Sequence, residues 1–173
     1  LEVAARHGYE DWGVDLSPES VEAAKKLRGH NRIWCGDPMD IRELRGQKFD
    51  LITLWSVLAH LPRPIDTFQM LRSFLKPGGA LLVFTVNANS LQLKANRDAW
   101  DGFTRNHLAF FSPMTAKQLF KKAGFGEFYY RPHYAYFAKA LKARLPPKVW
   151  HTYQTSVLEH IGGNMNRMIG INR

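Results

Sequence analysis

Two aspartates each follow a short apolar segment, and their positions suit hydrogen bonding to a nucleoside. Asp15 ends the segment 12–15 just before a Ser-Pro pair, and Asp37 follows the segment 32–35 and a glycine. A carboxylate at a strand end can accept hydrogen bonds from both hydroxyls of a ribose, and the second carboxylate could take the amino group of adenine. Together they predict an adenosine-containing ligand. The alternative for Asp15 is a negative charge that stabilises the N-terminus of the next helix.

These aspartates lie in an alternating series of predicted strands and helices. Strands are predicted at residues 12–15, 32–35, 50–55 and 80–86, separated by helices that begin at Ser17-Pro18 and near Ile65. The run 50–55 is almost continuously apolar, which is typical of a strand covered on both faces. The alternation predicts an α/β fold with a doubly wound, mostly parallel sheet. Ligands of such sheets bind at the carboxyl ends of the strands.

The rest of the chain is less regular. Residues 87–111 are rich in Asn and aromatics and are predicted to be irregular, followed by a helix at 114–123 and strands at 127–131 and 165–172. Residues 134–161 are basic and aromatic and are predicted to be a helical insertion between the last two strands. That segment is either an amphipathic surface touching lipid or an anionic membrane, or a helix packed on the sheet with a solvated basic face.

Composition limits the possible functions. The chain has 173 residues and a net charge of +9, and its single cysteine, Cys35, excludes an intrachain disulfide framework and a Cys-based zinc cluster. The charge is uneven: residues 1–86 hold 11 Lys and Arg against 11 Asp and Glu, and residues 87–173 hold 13 against 4. Without an apolar run of the ~18 residues that a membrane-spanning helix needs, we expect a cytoplasmic protein. The basic half could meet an anionic substrate, nucleic acid or a membrane.

Five stretches together resemble the class I S-adenosylmethionine-dependent methyltransferases, in the small-molecule branch of the ubiquinone-biosynthesis enzymes. They are GVDLSP (13–18), FDLITLWSVLAHL (49–61), LKPGG (75–79), HLAFFSP (107–113) and LFKKAGF (119–125). The resemblance covers residues 1–130 and 163–172. It implies a single Rossmann-like domain over residues 1–173 with an antiparallel last strand, and S-adenosylmethionine as the cofactor. The methyl acceptor would be a small molecule rather than nucleic acid.

The resemblance also implies roles for particular residues. The cofactor contacts would be Asp15 and Leu16 at the ribose, Asp37 and Met39 at the adenine, and, beside the methionine part, Trp55 and Ser56.

Two histidines, His60 and His107, are candidate catalytic bases near the methyl group, because a neutral imidazole can take a proton from a hydroxyl. Alternatively, His60 bonds a loop backbone and His107 caps a turn. A group of aromatic residues could line the acceptor pocket or belong to the core: Trp100, Phe103, Phe110 and Phe111.

Two departures from the family pattern carry consequences. Ala59 stands where the family has a glutamate. The first strand and its glycine-rich loop would lie upstream of Leu1, so we expect an N-terminally incomplete domain. Without that strand, the strand ending at Asp15 and the one beginning near Asp50 would expose unpaired edges, close up, or take a strand from a partner.

Three other functions compete with methyl transfer to a small molecule. A non-catalytic methyltransferase-like module could use the basic half to hold a partner. An NAD-dependent oxidoreductase would also place a carboxylate after its second strand, but it does not account for Lys76-Pro-Gly-Gly79. Methylation of RNA stays open because of the basic half, although no sequence-specific RNA-binding motif is present.

Overall fold

The computed structural model describes residues 1–29, 31–100, 102–133 and 165–173. The chain divides into two compact units, Leu1–Gln47 and Lys48–Arg173. The predicted insertion at 134–161 lies outside the described residues, so it stays a prediction, as does the single domain. No helix in the described ranges is both long and apolar enough to cross a membrane.

The first unit is a two-stranded parallel sheet with helices. Its elements are α1 (Glu2–Arg6), β1 (Gly13–Asp15), α2 (Pro18–Arg28), β2 (Ile33–Cys35) and a 3-10 turn (Arg42–Leu44). As predicted, α2 is capped by Ser17, whose side chain accepts from the amide of Ser20 at 3.1 Å, and ends at a left-handed Gly29. β1 and β2 pair in register, with Asp15 opposite Cys35. Both strands therefore end at the same edge.

The second unit is built on a four-stranded sheet in the order β3-β4-β6-β5. Its elements are β3 (Phe49–Trp55), a 3-10 turn (Leu58–His60), α3 (Pro64–Phe74), β4 (Leu75–Val86), α4 (Leu91–Asn96), a 3-10 turn (Arg97–Ala99), α5 (Pro113–Lys122), β5 (Glu127–His133) and β6 (Met165–Ile171). β3 and β4 are parallel, and β6 is antiparallel to both β4 and β5. The last strand therefore has the expected direction.

β1 and β3 belong to different sheets. Within the described residues, the edge of β3 away from β4 carries no paired strand.

The turn before the central strand is absorbed into β4. The sequence predicts a turn at 76–79, whereas β4 already pairs at Leu75 and the register then shifts between Phe49 and Leu51 to accommodate the extra residues. Gly79 is required here, because a Cβ atom would lie 2.9 Å from the Lys76 carbonyl oxygen and 3.0 Å from that of Phe49. The amide of Asn172 donates to Gly79 at 2.9 Å, which ties the end of β6 to this turn.

The core of the second unit lies on the face of the sheet that α3 and α5 cover. Leu81 and Val83 of β4 are fully buried there with Phe68 of α3, Phe120 of α5 and Met168 of β6. Phe68 and Phe120 meet edge to face with ring centroids 5.1 Å apart, a favoured aromatic geometry.

The expectation that β3 is covered on both faces is wrong for the described chain. Ile52 and Leu54 pack against the core, whereas Leu51 is 53% exposed and Trp55 is 61% exposed. The reason is strand alternation: α3 and α5 cover one face of the sheet, and alternate side chains of β3 point to the other.

The segment 87–111 is also more ordered than predicted. It contains the short helix α4, whose N-cap Ser90 accepts from the amide of Leu93 at 3.1 Å. The Asn-rich composition obscured this helix, because Asn favours turns as well as caps.

Candidate functional site

The two predicted carboxylates end β1 and β2 and form the same local structure. Oδ1 of Asp15 accepts from the amide of Ser17 at 2.8 Å, and Oδ1 of Asp37 accepts from the amide of Met39 at 2.8 Å. The amide of Gly36 donates to the Asp15 carbonyl at 3.0 Å, which joins the two loops. One oxygen of each carboxylate thus holds its own turn, and Oδ2 is the oxygen that a ligand would engage.

Two exposed apolar side chains accompany these carboxylates. Leu16 is 77% exposed and Met39 is 58% exposed, each in the loop that its neighbouring aspartate shapes. Acceptor oxygens beside exposed apolar groups match the chemistry of adenosine. Its ribose offers hydroxyl donors, and its flat, largely apolar adenine ring carries an amino donor. The structure thus brings four of the predicted cofactor residues to one edge of the first unit.

The other two predicted cofactor residues end β3 in the second unit. The indole of Trp55 lies against Phe84 with ring centroids 5.5 Å apart, and its Nε1 donates to Thr53 Oγ1 at 3.2 Å. Ser56 follows with a φ of +56°, and its amide donates to the Phe84 carbonyl at 2.8 Å. Positive φ is rare outside glycine, and such strained residues cluster at functional sites.

The structure brings the two candidate bases together. The imidazole rings of His60 and His107 have centroids 4.8 Å apart and are tilted by 59°. Nδ1 of His60 lies 2.8 Å from the carbonyl oxygen of Asn106, and Nδ1 of His107 lies 2.7 Å from that of Gly102. Such bonds are expected from the alternative interpretation, in which His60 bonds a loop backbone and His107 caps a turn.

Those bonds also indicate which tautomer each neutral ring adopts. A carbonyl oxygen only accepts, so each Nδ1 must carry hydrogen, and in a neutral ring Nε2 then has the lone pair. The two interpretations are therefore compatible, since each ring can hold a loop through one nitrogen and accept a proton at the other.

Ala59 contributes through its backbone. Its carbonyl oxygen accepts from the amides of Leu108 at 2.7 Å and Ala109 at 3.2 Å, and the residue is buried. The position that carries glutamate in the family here binds the loop that carries His107.

Three of the four aromatic residues of the predicted acceptor pocket lie in the loop that carries His107. Trp100 is buried, Phe103 is 49% exposed, and both contact Phe110 at centroid distances of 5.9 and 5.3 Å. Phe110 also meets His107 at 5.7 Å. Phe111 instead packs against the core cluster. The first three could thus form an apolar wall beside His107, and the fourth is a core residue.

A set of buried polar side chains in the last residues of β4 and just after it was not predicted from the sequence. Thr85, Asn87 and Ser90 are almost fully buried, and Asn87 Oδ1 accepts from the amide of Asn89 at 2.9 Å. For Asn87 and Ser90, the sequence signal was the Asn-Ala-Asn-Ser run at 87–90, which is typical of a turn followed by a helix cap. They fix the chain where it leaves the sheet.

In the second unit, the pKa values of Asp50 and Tyr130 are shifted, and both residues lie outside the histidine pair. Lys76, within 2.8 Å of Asp50, holds the pKa of that carboxyl below its usual value. Burial raises the pKa of Tyr130 to about 12. Across the described ranges, no three His, Cys, Asp or Glu side chains are placed to hold a metal ion.

Residues 1–126 match a family model described as a methyltransferase domain. The chain belongs to this family. The match confirms the resemblance drawn from the five motifs. The methyltransferase domain is 33% identical over 92 residues to the ubiquinone biosynthesis O-methyltransferase of Coxiella burnetii, covering 51% of this chain and 39% of that protein. The corresponding Actinobacillus pleuropneumoniae protein is 32% identical over 98 residues, covering 50% and 40%. The match thus spans about two fifths of the length of these relatives.

Solved structures confirm the Rossmann-like α/β fold of the methyltransferase domain. A SAM-dependent methyltransferase from Archaeoglobus fulgidus superposes with a TM-score of 0.69 at 17% identity, covering 99% of this chain and 80% of that one. A plantazolicin methyltransferase, solved with a triazolic desmethylPZN analogue and SAH, superposes with a TM-score of 0.65 at 18% identity, covering 99% of this chain and 71% of that one.

Proposed function

We propose that this protein transfers a methyl group from S-adenosylmethionine to a small-molecule acceptor. The observation that carries the proposal is the family match over residues 1–126. The two carboxylate loops of the first unit support it, because their free oxygens and apolar neighbours suit an adenosine. A cytoplasmic location goes with this proposal, and the name of the curated relatives, ubiquinone biosynthesis O-methyltransferase, favours a small-molecule acceptor over nucleic acid.

The adenosine part would be held by the edge of the first unit. Asp15 would accept hydrogen bonds from the ribose hydroxyls, next to Leu16. Asp37 would accept a hydrogen bond from the adenine amino group, next to Met39. In the second unit, Trp55 and Ser56 would contact the methionine part. An indole face near a sulfonium also contributes cation–π attraction.

The cofactor supplies a methyl group already activated as a sulfonium, so the protein mainly positions the reactants and excludes water. In the transfer, the acceptor oxygen would bond to the methyl carbon as the carbon–sulfur bond breaks, and the electron pair of that bond would stay on sulfur. The hydroxyl proton goes to an imidazole, for which His60 and His107 are the candidates. The name of the curated relatives, O-methyltransferase, favours oxygen as the nucleophile.

Calorimetric titration with S-adenosylhomocysteine (SAH) tests the cofactor half of this proposal. The 173-residue chain and the full product of its gene are titrated side by side. We expect Asp15→Asn to weaken SAH binding about tenfold or more, because a hydrogen bond to a charged group is worth about 1.5–3 kcal/mol. Asparagine keeps the Oδ1 atom that accepts from Ser17, so the loop is preserved.

Asp40→Asn is the matched control. It removes the same charge from the loop that carries Asp37, at an exposed position, and should leave the affinity within twofold. Equal losses in both variants would mean that only net charge matters. If neither protein bound SAH, the cofactor proposal would fail and the non-catalytic module would become the better hypothesis.

A further inference from the structure

We propose that His107 is the base that takes the acceptor proton, through Nε2, and that His60 is a positioning residue for the loop that carries it. This inference rests on the proposed function and divides the two histidines into separate roles. It follows from what each ring contacts.

The loop from Trp100 to Phe110 is built to present His107. Gly102 lies against the indole of Trp100 so closely that a Cβ atom there would come within 2.4 Å of the ring, so only glycine fits. Its carbonyl oxygen is thereby fixed, and it receives Nδ1–H of His107 at 2.7 Å. The amide of His107 donates to Thr104 at 3.2 Å, which closes the turn. The orientation of the ring is thus set from both backbone and side chain.

His107 also has the better surroundings for an acceptor. It is half-buried and its ring meets Phe110 edge on, and Phe110 meets the half-exposed Phe103. An apolar molecule that covers Phe103 and Phe110 would lie beside the imidazole of His107. His60, in contrast, is exposed, and among the described residues its ring contacts one other ring, that of His107.

His60 instead ties the loop to the end of β3. Its Nδ1–H donates to Asn106, the residue before His107, at 2.8 Å. With the two bonds from Leu108 and Ala109 to the Ala59 carbonyl, three hydrogen bonds join residues 59–60 to residues 106–109. Loss of the His60 bond would let the loop shift, and small misplacements of a catalytic group cost rate steeply.

The proton balance is simple. The acceptor O–H gives its proton to Nε2 of His107 as the oxygen–methyl bond forms, and the product imidazolium donates from both nitrogens. No described Asp or Glu forms an ion pair with either ring, so backbone carbonyls rather than a carboxylate orient them. The proton returns to solvent in the next step.

Paired substitutions separate the two roles. Asparagine places an amide N–H close to where Nδ1–H stood but offers nothing at Nε2. We expect His107→Asn to keep the SAH affinity and the melting temperature of the wild-type protein. Methyl transfer to catechol should fall about 100-fold or more, and the acid limb of the pH–rate profile should disappear.

We expect His60→Ala to slow methyl transfer and to leave the acid limb intact. His60→Asn should restore most of the rate that His60→Ala loses. His7→Asn, in the first unit, controls for loss of an imidazole.

A second readout does not depend on turnover. Long-range proton–nitrogen correlation spectra should show both rings of the wild-type protein as Nδ1–H tautomers, and His60→Ala should raise hydrogen exchange at the Leu108 amide. The inference is overturned if His107 is Nε2–H, or if His60→Asn rather than His107→Asn removes the acid limb. If both rings are Nδ1–H but neither phenolic, catecholic nor imidazole acceptors are methylated, the proposed function and the base role fail, and the loop role of His60 stands.

Discussion

Tyr130 combines a buried hydroxyl with an unusual titration. Its ring packs against the core cluster, and its hydroxyl has no hydrogen-bond partner among the described residues. Burial raises the pKa of Tyr130 to about 12, because a phenolate would have to leave water. An unpaired buried hydroxyl is itself costly, by about 1–3 kcal/mol.

We therefore expect Tyr130→Phe to increase the free energy of unfolding at pH 8 by about 1 kcal/mol. The sign of the pH effect follows from the pKa values. An unfolded tyrosine ionises near pH 10, whereas Tyr130 in the folded protein stays neutral to about 12, so the wild-type protein loses stability between these values. The variant should lack that part of the loss. Urea unfolding at pH 8 and pH 11 measures both effects.

Tyr129→Phe provides the control on the same strand, because Tyr129 is 56% exposed. It should change stability by less than about 0.5 kcal/mol at either pH. A Tyr130→Phe protein that is less stable than wild type at pH 8 would show that the hydroxyl has a partner.

Helix α5 illustrates how an element is fixed by its first residues. Ser112 Oγ accepts from the amide of Thr115 at 3.2 Å, and Thr115 Oγ1 accepts from the amide of Ser112 at 2.9 Å. Pro113 occupies the first turn. This capping box starts the helix directly after the loop that carries His107 and turns Leu119 and Phe120 into the core. The cap therefore contributes to stability and also fixes one end of the loop that carries His107.

Ser112→Ala should lower the free energy of unfolding by about 1 kcal/mol, because one helix amide loses its acceptor. Met114→Ala, on the same helix and 70% exposed, should stay within about 0.5 kcal/mol of wild type. Chemical denaturation of the three proteins decides the matter. Equal effects of the two substitutions would mean that helix propensity, not capping, dominates.

The two units of the molecule differ in the amount of core that each contains. Among the described residues, the buried apolar side chains of the first unit are Val21, Ile33, Ile41 and Leu44, around a two-stranded sheet. The described part of the second unit has four strands and a core cluster of 12 buried residues. Two-stranded sheets are marginal by themselves, so the proposed adenosine-binding edge lies in the less stabilised unit.

Hydrogen exchange measured by mass spectrometry should therefore show an order of protection. We expect amides of β4 and β6 to exchange slowest and those of β1 and β2 to exchange at least about tenfold faster, as for regions with few buried contacts. SAH should slow exchange in β1 and β2 if the edge binds it. Uniform protection across both units would contradict this view of the molecule.

Most of the local structure followed from the sequence, because short-range chemistry determines it. Ser17-Pro18 and Ser112-Pro113 start helices by capping, Gly29 stops one, and the β-branched and apolar run 80–86 forms a buried strand wherever it is placed. The five motifs also identified the family. The helix starts and the helix stop share one property: the partners of their capping hydrogen bonds lie within a few residues along the chain.

Tertiary structure decided the features that depend on distant partners. His60 and His107 are 47 positions apart in sequence, and their contact requires the Ala59 carbonyl to bind the loop that carries His107. Which face of β3 is covered depends on where α3 and α5 pack, and the fit of Gly102 against Trp100 depends on a turn that composition alone described as irregular. Packing and long-range hydrogen bonds, which no local pattern encodes, brought the two candidate histidines into contact and gave each ring its own backbone partner.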